Sequence, residues 1–554
     1  MVSIECNISV LKELIQEKIS EQEIENILWN LGYEVEDKEG DVWKIDITPD
    51  RPDLFSVFGI ARLLRCYLNG KKKDYKFEDS GLEVIVDKSV KEVRPYTVCA
   101  VAKNLRLTED TLKSLISLQE KIHLSYARKR KKAAIGIYPL EVIKGPIRFI
   151  AKKPEDIKFV PLDFEEELSG REILEKHPKG MEYGHLLKGK EKYPIFIDAD
   201  GRILSMPPII NSRDTGKVTL DTKEIFIECS GHDLNFLNKV MNILVSNIAE
   251  IGDVCSVKVK YPDRELITPH TEEKVLSLQL GYANKLLGIN IGKEDAIKLL
   301  KRIEYEVSQN SDKDSLKVIV PWYRVDVFSQ VDIIEDLGKA YGIDNLSPEF
   351  PMISTIGKKL DKSFKIDKIR ELMLGYGFQE LYNMVLSSVE DQIEKMNIEK
   401  ENNILKIEGA RESTVNVARI WLLPELLKFL SKNQHHQFPI KIFEIGEVLF
   451  FDEKVENKAR EEIHLSAAIL NSKVGYEDIA GVIVTLFKIL GAEIEFKRAS
   501  HKSFIEGRVA EIMVNGKKRG LVGEIHPKVL KNFGIDFPVV GTEIELSFII
   551  SDRK

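Results

Sequence analysis

A repeated stretch of sequence constrains the fold of this chain more than any other feature. The segment LWNLGYEVEDKEGDVWKIDITPDRPDLFSVFGIARLLRCYLNG, which begins at Leu28, aligns with LKRIEYEVSQNSDKDSLKVIVPWYRVDVFSQVDIIEDLGKAYG, which begins at Leu300. Both segments have the pattern of a helix, a strand, a proline-containing turn, an Arg-x-Asp sequence and a second helix that ends near Tyr and Gly. One small α+β module is therefore expected twice, at residues 1–78 and 266–346.

The remaining sequence predicts two larger regions. Residues 79–265 contain short segments rich in β-branched residues, broken by Gly, Pro and Asp, with helices near 108–131 and 233–251, so a β-rich domain is expected there. Residues 347–554 alternate helical and strand-like segments, and hairpin signals such as VNGKK favour an antiparallel sheet that carries helices. The chain of 554 residues is thus expected to be an α+β protein of several domains.

The composition argues against several classes of protein. The net charge of −7 gives no overall basic field, so any contact with nucleic acid depends on local patches. The five cysteines are scattered without a CxxC pair, which argues against a disulfide framework or a zinc site and fits a reducing compartment. The sequence shows neither a signal peptide nor a run of about 18 apolar residues. A cytoplasmic protein that does not enter a membrane is expected.

Acidic residues are concentrated in the segment PWYRVDVFSQVDIIEDLGKAYG. The acids are Asp326, Asp332, Glu335 and Asp336. The last three lie at i, i+3 and i+4, and so on one face of a helix. One reading is a capping box in which Asp332 accepts from the backbone of Ser329, with the other acids near the positive end of the helix dipole.

A second reading is that these carboxylates bind a divalent cation. Three carboxylates on one face repel each other unless a cation neutralises them, and Mg²⁺ prefers oxygen ligands. The first module has Gly59, Arg62 and Leu63 at the aligned positions, so the module folds without the cluster. This comparison raises the cation reading to equal weight with the cap, and both stay open on spacing alone.

Several long motifs resemble one family. TPDRPDLFSVFGIAR, PWYRVDVFSQVDIIEDLGKAYG, GRILSMPPIINS, KIFEIGEVL and GEIHPKVLKNFGI are similar to the phenylalanyl-tRNA synthetase β-subunit family of the archaeal and eukaryotic type, in order and over essentially the whole chain. In that family the pattern D-x5-D-x2-E-E binds Mg²⁺. The resemblance therefore implies Mg²⁺ ligands at Asp326, Asp332, Glu335 and Asp336, with Asp at the last position in place of Glu.

The resemblance also implies an editing domain at residues 79–265 that hydrolyses mischarged Tyr-tRNA. It places the pocket at Ser205, Asn211, Glu228 and Ser230, with Phe196 as a further candidate. Such a site needs a group that positions water and polar groups that recognise the tyrosine hydroxyl. The family has Asp where this chain has Glu228, so the longer side chain changes where water would be held. Without the resemblance, Glu228 reads as a solvent-facing strand residue.

The C-terminal region, residues 347–554, resembles the catalytic fold of class II synthetases but is degenerate. Its segment RGLVGEIHPKVL lacks the Arg that this fold places after its glycines for ATP. The resemblance implies a non-catalytic scaffold that packs on an α subunit, which uses ATP to charge tRNA(Phe), in an α₂β₂ heterotetramer. A free-standing aminoacyl-tRNA deacylase and a non-catalytic tRNA-binding scaffold remain as alternatives.

Two basic runs are candidates for contact with tRNA phosphates, at residues 71–73 and 128–132. The second run is the stronger candidate, because five adjacent basic residues in an acidic chain create a local positive field.

Overall fold

A computed structural model describes residues 2–309, 314–399, 403–410 and 414–550. The chain divides into two compact units, Met1–Phe350 and Pro351–Lys554. Helices and several sheets occur in both units, so the expectation of a mixed α and β protein is confirmed at that level.

The first copy of the repeated module opens the first unit. Its elements are β1 (Val2–Asn7), α1 (Ile8–Ile15), α2 (Glu21–Asn30), β2 (Glu34–Glu39), β3 (Val42–Ile47) and α3 (Val57–Asn69). The strands are antiparallel in the order β1-β3-β2. Side-chain caps fix where the helices begin, because Asn7, Ser20 and Ser56 each accept a hydrogen bond from a backbone N–H of the first turn.

The middle region forms one large sheet flanked by helices, together with a separate two-stranded sheet made of Lys158–Phe159 and Leu168–Ser169. Its strands are β4 (Glu78–Val86), β5 (Tyr96–Lys103), β6 (Ala133–Pro139), β7 (Ile147–Lys152), β8 (Lys158–Phe159), β9 (Leu168–Ser169), β10 (Tyr193–Ile197), β11 (Ile203–Met206), β12 (Ile210–Asn211), β13 (Ile225–Gly231), β14 (Asp253–Lys260) and β15 (Glu265–Thr268). Its helices are α4 (Glu109–Leu124), α5 (Gly170–Lys176), α6 (Pro178–Tyr183), α7 (Arg213–Gly216) and α8 (Leu234–Ile248).

The main sheet runs in the order β12-β11-β10-β7-β4-β14-β5-β13-β6, and β15 pairs with β14. The expected boundary at residue 265 therefore falls on the first residue of a strand that still belongs to this sheet. One face of the sheet packs on α4, α8 and the repeated modules, and the opposite face buries a separate apolar cluster. Side chains that alternate along β13 consequently serve two different environments.

The second copy of the module repeats the first, element for element. It consists of β16 (Lys274–Gln279), α9 (Leu280–Leu287), α10 (Lys293–Arg302), β17 (Glu306–Gln309), β18 (Ser315–Val320) and α11 (Gln330–Tyr341). Its strand order, β16-β18-β17, corresponds to β1-β3-β2.

The two copies contact each other through a buried ion pair. Arg62 of the first copy donates from Nε to Glu304 of the second at 2.8 Å, and Tyr323 donates to the same carboxylate oxygen at 2.9 Å. Glu304 follows α10 with a left-handed φ of 77°, and the aligned residue after α2 is Gly32, with φ of 83°. An acidic residue thus occupies a position where glycine is favoured, because its charge is needed by the buried Arg62.

The second unit is a sheet with helices on both faces. Its elements are α12 (Asp361–Gly375), β19 (Gln379–Glu380), β20 (Leu386–Ser387), β21 (Val417–Ala418), α13 (Leu423–Asn433), β22 (Ile440–Phe451), β23 (Ala459–Leu470), α14 (Tyr476–Ile489), β24 (Ile494–Arg498), β25 (Phe504–Val514), β26 (Lys517–Ile525), α15 (Pro527–Phe533), β27 (Val539–Glu545) and α16 (Ser547–Ile550). The main sheet has the order β19-β22-β23-β27-β26-β25-β24 and is antiparallel except at the short β19–β22 contact. Apolar clusters join α12, α14 and α16 to one face and α13 and α15 to the other.

Candidate active site

A cavity of about 390 Å³ lies at the edge of the middle sheet, beside β6. Residues of α4, β6 and the β11–β12 hairpin form its walls. Of the predicted pocket residues, Ser205, Asn211 and Glu228 line it. The volume is in the range of small-molecule sites, and the lining combines apolar side chains with a few polar ones, as is typical of such sites.

Strand register brings these three residues together. Ser205 of β11 lies opposite Asn211 of β12, and Glu228 of β13 lies opposite Gly136 of β6. A Cβ atom on Gly136 would lie 2.1 Å from the hydroxyl oxygen of Tyr138 and 2.7 Å from Glu228 Oε1. Glycine at this position therefore provides the space in which the two polar side chains meet.

Tyr138 connects the polar groups of the cavity. Its hydroxyl donates to Ser205 Oγ at 2.7 Å and lies 3.3 Å from Glu228 Oε1 and 3.5 Å from Asn211 Oδ1. Sequence reasoning missed this residue. The available signal was its position two residues after Gly136 in AAIGIYP, which places it on the same face of β6.

Glu228 is only 1% exposed, so the reading of a solvent-facing strand residue is wrong. Burial raises the pKa of its carboxyl group to about 8, although Arg94 and the hydroxyls of Tyr138 and Ser230 oppose this increase. Glu228 is therefore mostly protonated at neutral pH. Within the described part of the chain, its Oε2 atom has no hydrogen-bond partner. A buried polar atom left unpaired beside a cavity is a binding group for a polar ligand atom.

Two other predicted pocket residues have different surroundings. Ser230 lies two residues beyond Glu228 on the same strand face, and its Oγ accepts from Arg94 Nε at 3.0 Å. It supports the buried Arg94 and does not line the cavity. Phe196 stacks on Phe149 with ring centroids 4.3 Å apart, in the apolar cluster beneath the sheet. The prediction that Phe196 lines the pocket is therefore wrong, because its large ring is needed in the core.

The basic run 128–132 forms the end of the cavity wall. The helix expected to reach residue 131 ends at Leu124, and Arg128, Lys129 and Arg130 then have left-handed φ angles of 50°, 51° and 62°. Arg130 Nη1 donates to the carbonyl of Ile209 at 2.8 Å and so holds the β11–β12 hairpin. This contact fixes the wall that carries Asn211.

The other basic run, at residues 71–73, is largely engaged within the chain. Lys72 pairs with Glu273 at 2.8 Å and with Glu306 at 2.9 Å. Lys73 donates to the carbonyl oxygen of Ala249 at 2.6 Å. These contacts join the first module to the middle region and the second module.

The four acids of the second module are divided among separate partners. Arg324 donates to Asp326 at 2.9 and 2.6 Å and to Asp336 at 2.7 Å. Burial alone would raise the pKa of Asp336, but the charges of Arg324 and Arg51 hold it below its usual value. The guanidinium group of Arg324 is therefore shared between two of the four acids.

The remaining two acids serve the helix that carries them. Asp332 accepts from the backbone N–H groups of Ser329 at 2.7 Å and Phe328 at 2.8 Å, so the capping-box reading is confirmed. Glu335 forms an exposed ion pair with Lys339 at 2.8 Å. Each acid thus has a partner supplied by the chain itself.

Family models match most of the second half of the chain. The model described as the tRNA synthetase B5 domain matches residues 276–343, and the phenylalanyl tRNA synthetase beta chain CLM domain matches residues 346–546. The phenylalanine–tRNA ligase beta subunit of Pyrococcus abyssi is 41% identical over 547 residues, which cover 97% of this chain and 98% of that protein. The beta subunit from Methanocella arvoryzae is 35% identical over 553 residues, covering 99% and 100% of the two chains.

The chain belongs to the phenylalanyl-tRNA synthetase β-subunit family. A solved structure agrees with this assignment. The crystal structure of an N-terminal fragment of the Pyrococcus horikoshii phenylalanyl-tRNA synthetase beta subunit is 40% identical and superposes with a TM-score of 0.59, covering 61% of this chain and 99% of that fragment.

Magnesium binding, which the β-subunit resemblance implies, does not fit the observed arrangement of the acids. Among the residues that the structure describes, no group of three or more His, Cys, Asp or Glu side chains is arranged to hold a metal ion. Arg324 supplies the positive charge that the sequence argument assigned to a cation. Magnesium binding by Asp326, Asp332, Glu335 and Asp336 is a prediction of the family pattern that the arrangement of these side chains does not support.

The helices were also compared with the requirements for crossing a membrane. Over the described ranges, none of the helices combines the length and the apolar character that a membrane crossing requires.

Proposed function

We propose that this chain is the β subunit of a phenylalanine–tRNA ligase and that it hydrolyses mischarged Tyr-tRNA(Phe) in the cavity beside β6. The observation that carries the proposal is the buried, mostly protonated carboxyl group of Glu228, whose Oε2 atom has no hydrogen-bond partner among the described residues. A tyrosine hydroxyl would satisfy this atom, whereas phenylalanine would leave it without a partner. Sites built to hydrogen-bond a substrate hydroxyl reject the analogue without it by large factors.

The geometry favours recognition of the phenol over positioning of water as the role of Glu228. Its carboxyl group is inaccessible to bulk solvent and contacts the hydroxyl of Tyr138, which is tied to Ser205. Hydrolysis requires a water oxygen to attack the ester carbonyl, so that the bond to the ribose oxygen breaks and that oxygen takes up a proton. The polar cluster would hold the tyrosyl group still for this attack.

His123 lines the same cavity but is unsuited to act as a general base. Its Nε2 accepts from the backbone N–H of Ile135 at 2.9 Å, and its Nδ1 lies 3.3 Å from Glu120. Burial lowers its pKa, so the ring is neutral at pH 7. Both ring nitrogens are occupied, and catalysis by orientation of substrate and water is the simpler account.

The second unit supports a non-catalytic role beside an α subunit that would use ATP. Its buried Arg419 pairs with Glu444 at 2.6 Å, and a Cβ atom on Gly446 would lie 2.3 Å from Arg419 Nη2. A nucleotide phosphate would have to replace Glu444 to reach this cation. The cation at this point of the sheet is therefore already paired within the chain, which favours a scaffold over an adenylate site.

An exposed apolar stripe on the second unit is the proposed contact with the α subunit. Tyr382, Met384 and Leu386 occupy every second position of the segment that leads into β20 and are 89%, 75% and 44% exposed. The beta-subunit names of the relatives support an α subunit as the occupant. An obligate contact of this kind buries more than about 2,000 Å² in total.

Co-expression with the α subunit tests the proposal. The purified complex, for which an α₂β₂ composition is expected, should charge tRNA(Phe) with phenylalanine and hydrolyse added Tyr-tRNA(Phe) much faster than Phe-tRNA(Phe). Hydrolysis by the isolated chain at the rate of the complex would support the free-standing deacylase. A complex that charges tRNA but never hydrolyses Tyr-tRNA would leave only the scaffold function.

A further inference from the structure

A second cavity, of about 630 Å³, lies where β13 ends and α8 begins. Most of its lining residues are basic or can become so: Arg94, Lys131, Lys132, His185 and His232. The acid in the lining is Asp233, whose Oδ1 already accepts from the backbone N–H groups of Asn235 and Phe236 at the start of α8. The cavity therefore presents an excess of positive charge.

Several of these positive groups form no ion pair with the residues that the structure describes, although the carboxyl group of Glu228 lies close enough to affect the pKa of Arg94. Arg94 is 3% exposed, yet its Nε and Nη2 donate to the uncharged Oγ and carbonyl oxygen of Ser230. In the described ranges, neither Lys131 nor Lys132 is paired with a carboxylate, and Lys132 Nζ lies 4.9 Å from the ring centre of Phe236. A buried cation that faces a cavity without a counter-ion favours an anionic ligand there.

The two cavities share the elements that build them. The turn at residues 128–132 contributes Arg130 to the first cavity and Lys131 and Lys132 to the second. Strand β13 contributes Glu228 to the first, and His232, immediately beyond the strand, lies in the second. Four residues of extended chain separate these two by about 13 Å.

The left-handed turn explains how adjacent basic residues reach different cavities. Arg128, Lys129 and Arg130 are consecutive non-glycine residues with positive φ, which L-amino acids disfavour. The backbone reversal directs Arg130 to the β11–β12 hairpin and the following lysines to the second cavity. Strained backbone that divides charge between two neighbouring cavities points to a function.

We propose that the second cavity binds a backbone phosphate of RNA, in the single-stranded acceptor end of the tRNA whose aminoacylated terminus occupies the first cavity. This inference rests on the proposed function for its choice of RNA. Every nucleotide of a single strand carries a negative charge, so a strand that enters the first cavity leaves phosphates close to its mouth. Lys131, Lys132 and His232 would contact the phosphate, and Arg94 would supply a fixed charge behind them.

Binding of deacylated tRNA(Phe) to the complex with the α subunit tests this inference. The variant K131A/K132A is compared with R128A/K129A, which removes two exposed charges from the same turn but touches neither cavity. We expect K131A/K132A to weaken binding about tenfold and to reduce the magnitude of the slope of log K against log salt by about one, because one phosphate contact is lost. The R128A/K129A variant should bind within about twofold of the wild type, since no specific contact is lost.

A modified tRNA locates the contact. With uncharged methylphosphonate linkages between its last three nucleotides, the tRNA should bind the wild type about tenfold more weakly, and K131A/K132A should show no further loss. Additive losses from the modified tRNA and K131A/K132A would overturn the inference. Equal losses of affinity in K131A/K132A and R128A/K129A would also overturn it, as would unchanged binding by K131A/K132A.

Adenosine monophosphate separates RNA from a free nucleotide as the source of the phosphate. Loss of adenosine monophosphate binding in K131A/K132A with unchanged tRNA binding would assign the cavity to a free nucleotide and overturn the RNA assignment. A wild-type complex that binds tRNA through these lysines but does not hydrolyse Tyr-tRNA would instead contradict the proposed function alone.

Discussion

At the scale of single residues, Glu228 combines two properties that sequence patterns do not reveal, namely burial and an oxygen without a hydrogen-bond partner in the part of the chain that the structure describes. A carboxyl group with a pKa near 8 is neutral in the cell and both donates and accepts hydrogen bonds. Gly136 leaves the space that the Glu228 side chain occupies opposite it.

Substitution of Glu228 should separate recognition from water activation. We expect Glu228→Ala to lower Tyr-tRNA(Phe) hydrolysis at least tenfold, which corresponds to about 1.4 kcal/mol. Glu228→Gln should retain most of the rate at pH 7, because an amide offers the same neutral donor and acceptor atoms. The measurement is single-turnover deacylation by the complex, with phenylalanine charging as the control that should not change. Equal losses in the two variants would mean that Glu228 acts as a base.

Glu228 also makes stability depend on pH. Its folded-state pKa of about 8 lies above the ordinary value of 4.5, so the folded chain binds more protons than the unfolded chain between these values. This stabilisation is complete below about pH 4.5 and is lost as the pH rises through about 8. Between about pH 6 and pH 9, the melting temperature of the wild type should fall more than that of Glu228→Gln. The exposed substitution Glu36→Gln is the control, and a wild type that matches Glu228→Gln at every pH would contradict the assignment.

At the scale of secondary-structure elements, α11 allows helix capping by Asp332 to be tested separately from divalent-cation binding. Asp332→Ala should lower the free energy of unfolding by about 1 kcal/mol, since two backbone N–H groups lose their acceptor. Urea denaturation measures this loss.

The variant D332N/E335Q tests the magnesium prediction of the family pattern, because it removes the charges of both side chains and keeps their shape. Loss of magnesium-dependent thermal stabilisation in this variant would support that pattern, and an unchanged response would leave these acids as a cap and an ion pair.

Local sequence patterns predicted the secondary-structure elements well, but contacts between residues far apart in the sequence could not be predicted from them. The capping box of Ser329 and Asp332 lies within four residues and was legible in the sequence. Ser205, Asn211 and Glu228 were found through motifs similar to those of a family. In contrast, the Tyr138–Ser205 and Arg94–Ser230 hydrogen bonds join residues 67 and 136 positions apart, and no sequence period reports such pairs. The charge of Arg324 was visible, but its geometry toward Asp326 and Asp336 was not.

At the scale of the whole molecule, the Arg62–Glu304 pair should be a large determinant of stability in the first unit. Glu304→Ala should cost about 3–5 kcal/mol, because the buried Arg62 and Arg51 would then share Asp53 as their acid, leaving one positive charge uncompensated. The variant R62M/E304G should recover most of this loss, since it removes both charges and places glycine at the left-handed position, as in the first copy. Chemical denaturation of the three proteins measures the difference. A double variant as unstable as Glu304→Ala would show that the charge pair is not the cause.

The proposed contact with the α subunit is tested in the second unit. Substitution of Tyr382 and Met384 by Ser should reduce co-purification of the α subunit at least tenfold, because central aromatic and apolar side chains dominate such interfaces. Ile267→Ser removes a comparably exposed apolar side chain from the first unit and is the matched control. Unchanged co-purification by the Tyr382 and Met384 variant would place the contact elsewhere.

The asymmetry between the two copies of the module has a consequence for association between chains. Arg62 of one copy faces Glu304 of the other, and in the converse contact Gly32 lies close to α11, where a Cβ atom would be 3.9 Å from Lys339 Cε. If two second copies from different chains paired in this way, Glu335, which aligns with Arg62, would face Glu304 as a like charge. Two first copies would leave Arg62 facing glycine. The charges at this contact are therefore complementary between the first and second copies of one chain. They are not complementary between two first copies or two second copies from different chains, so the duplication disfavours pairing between chains.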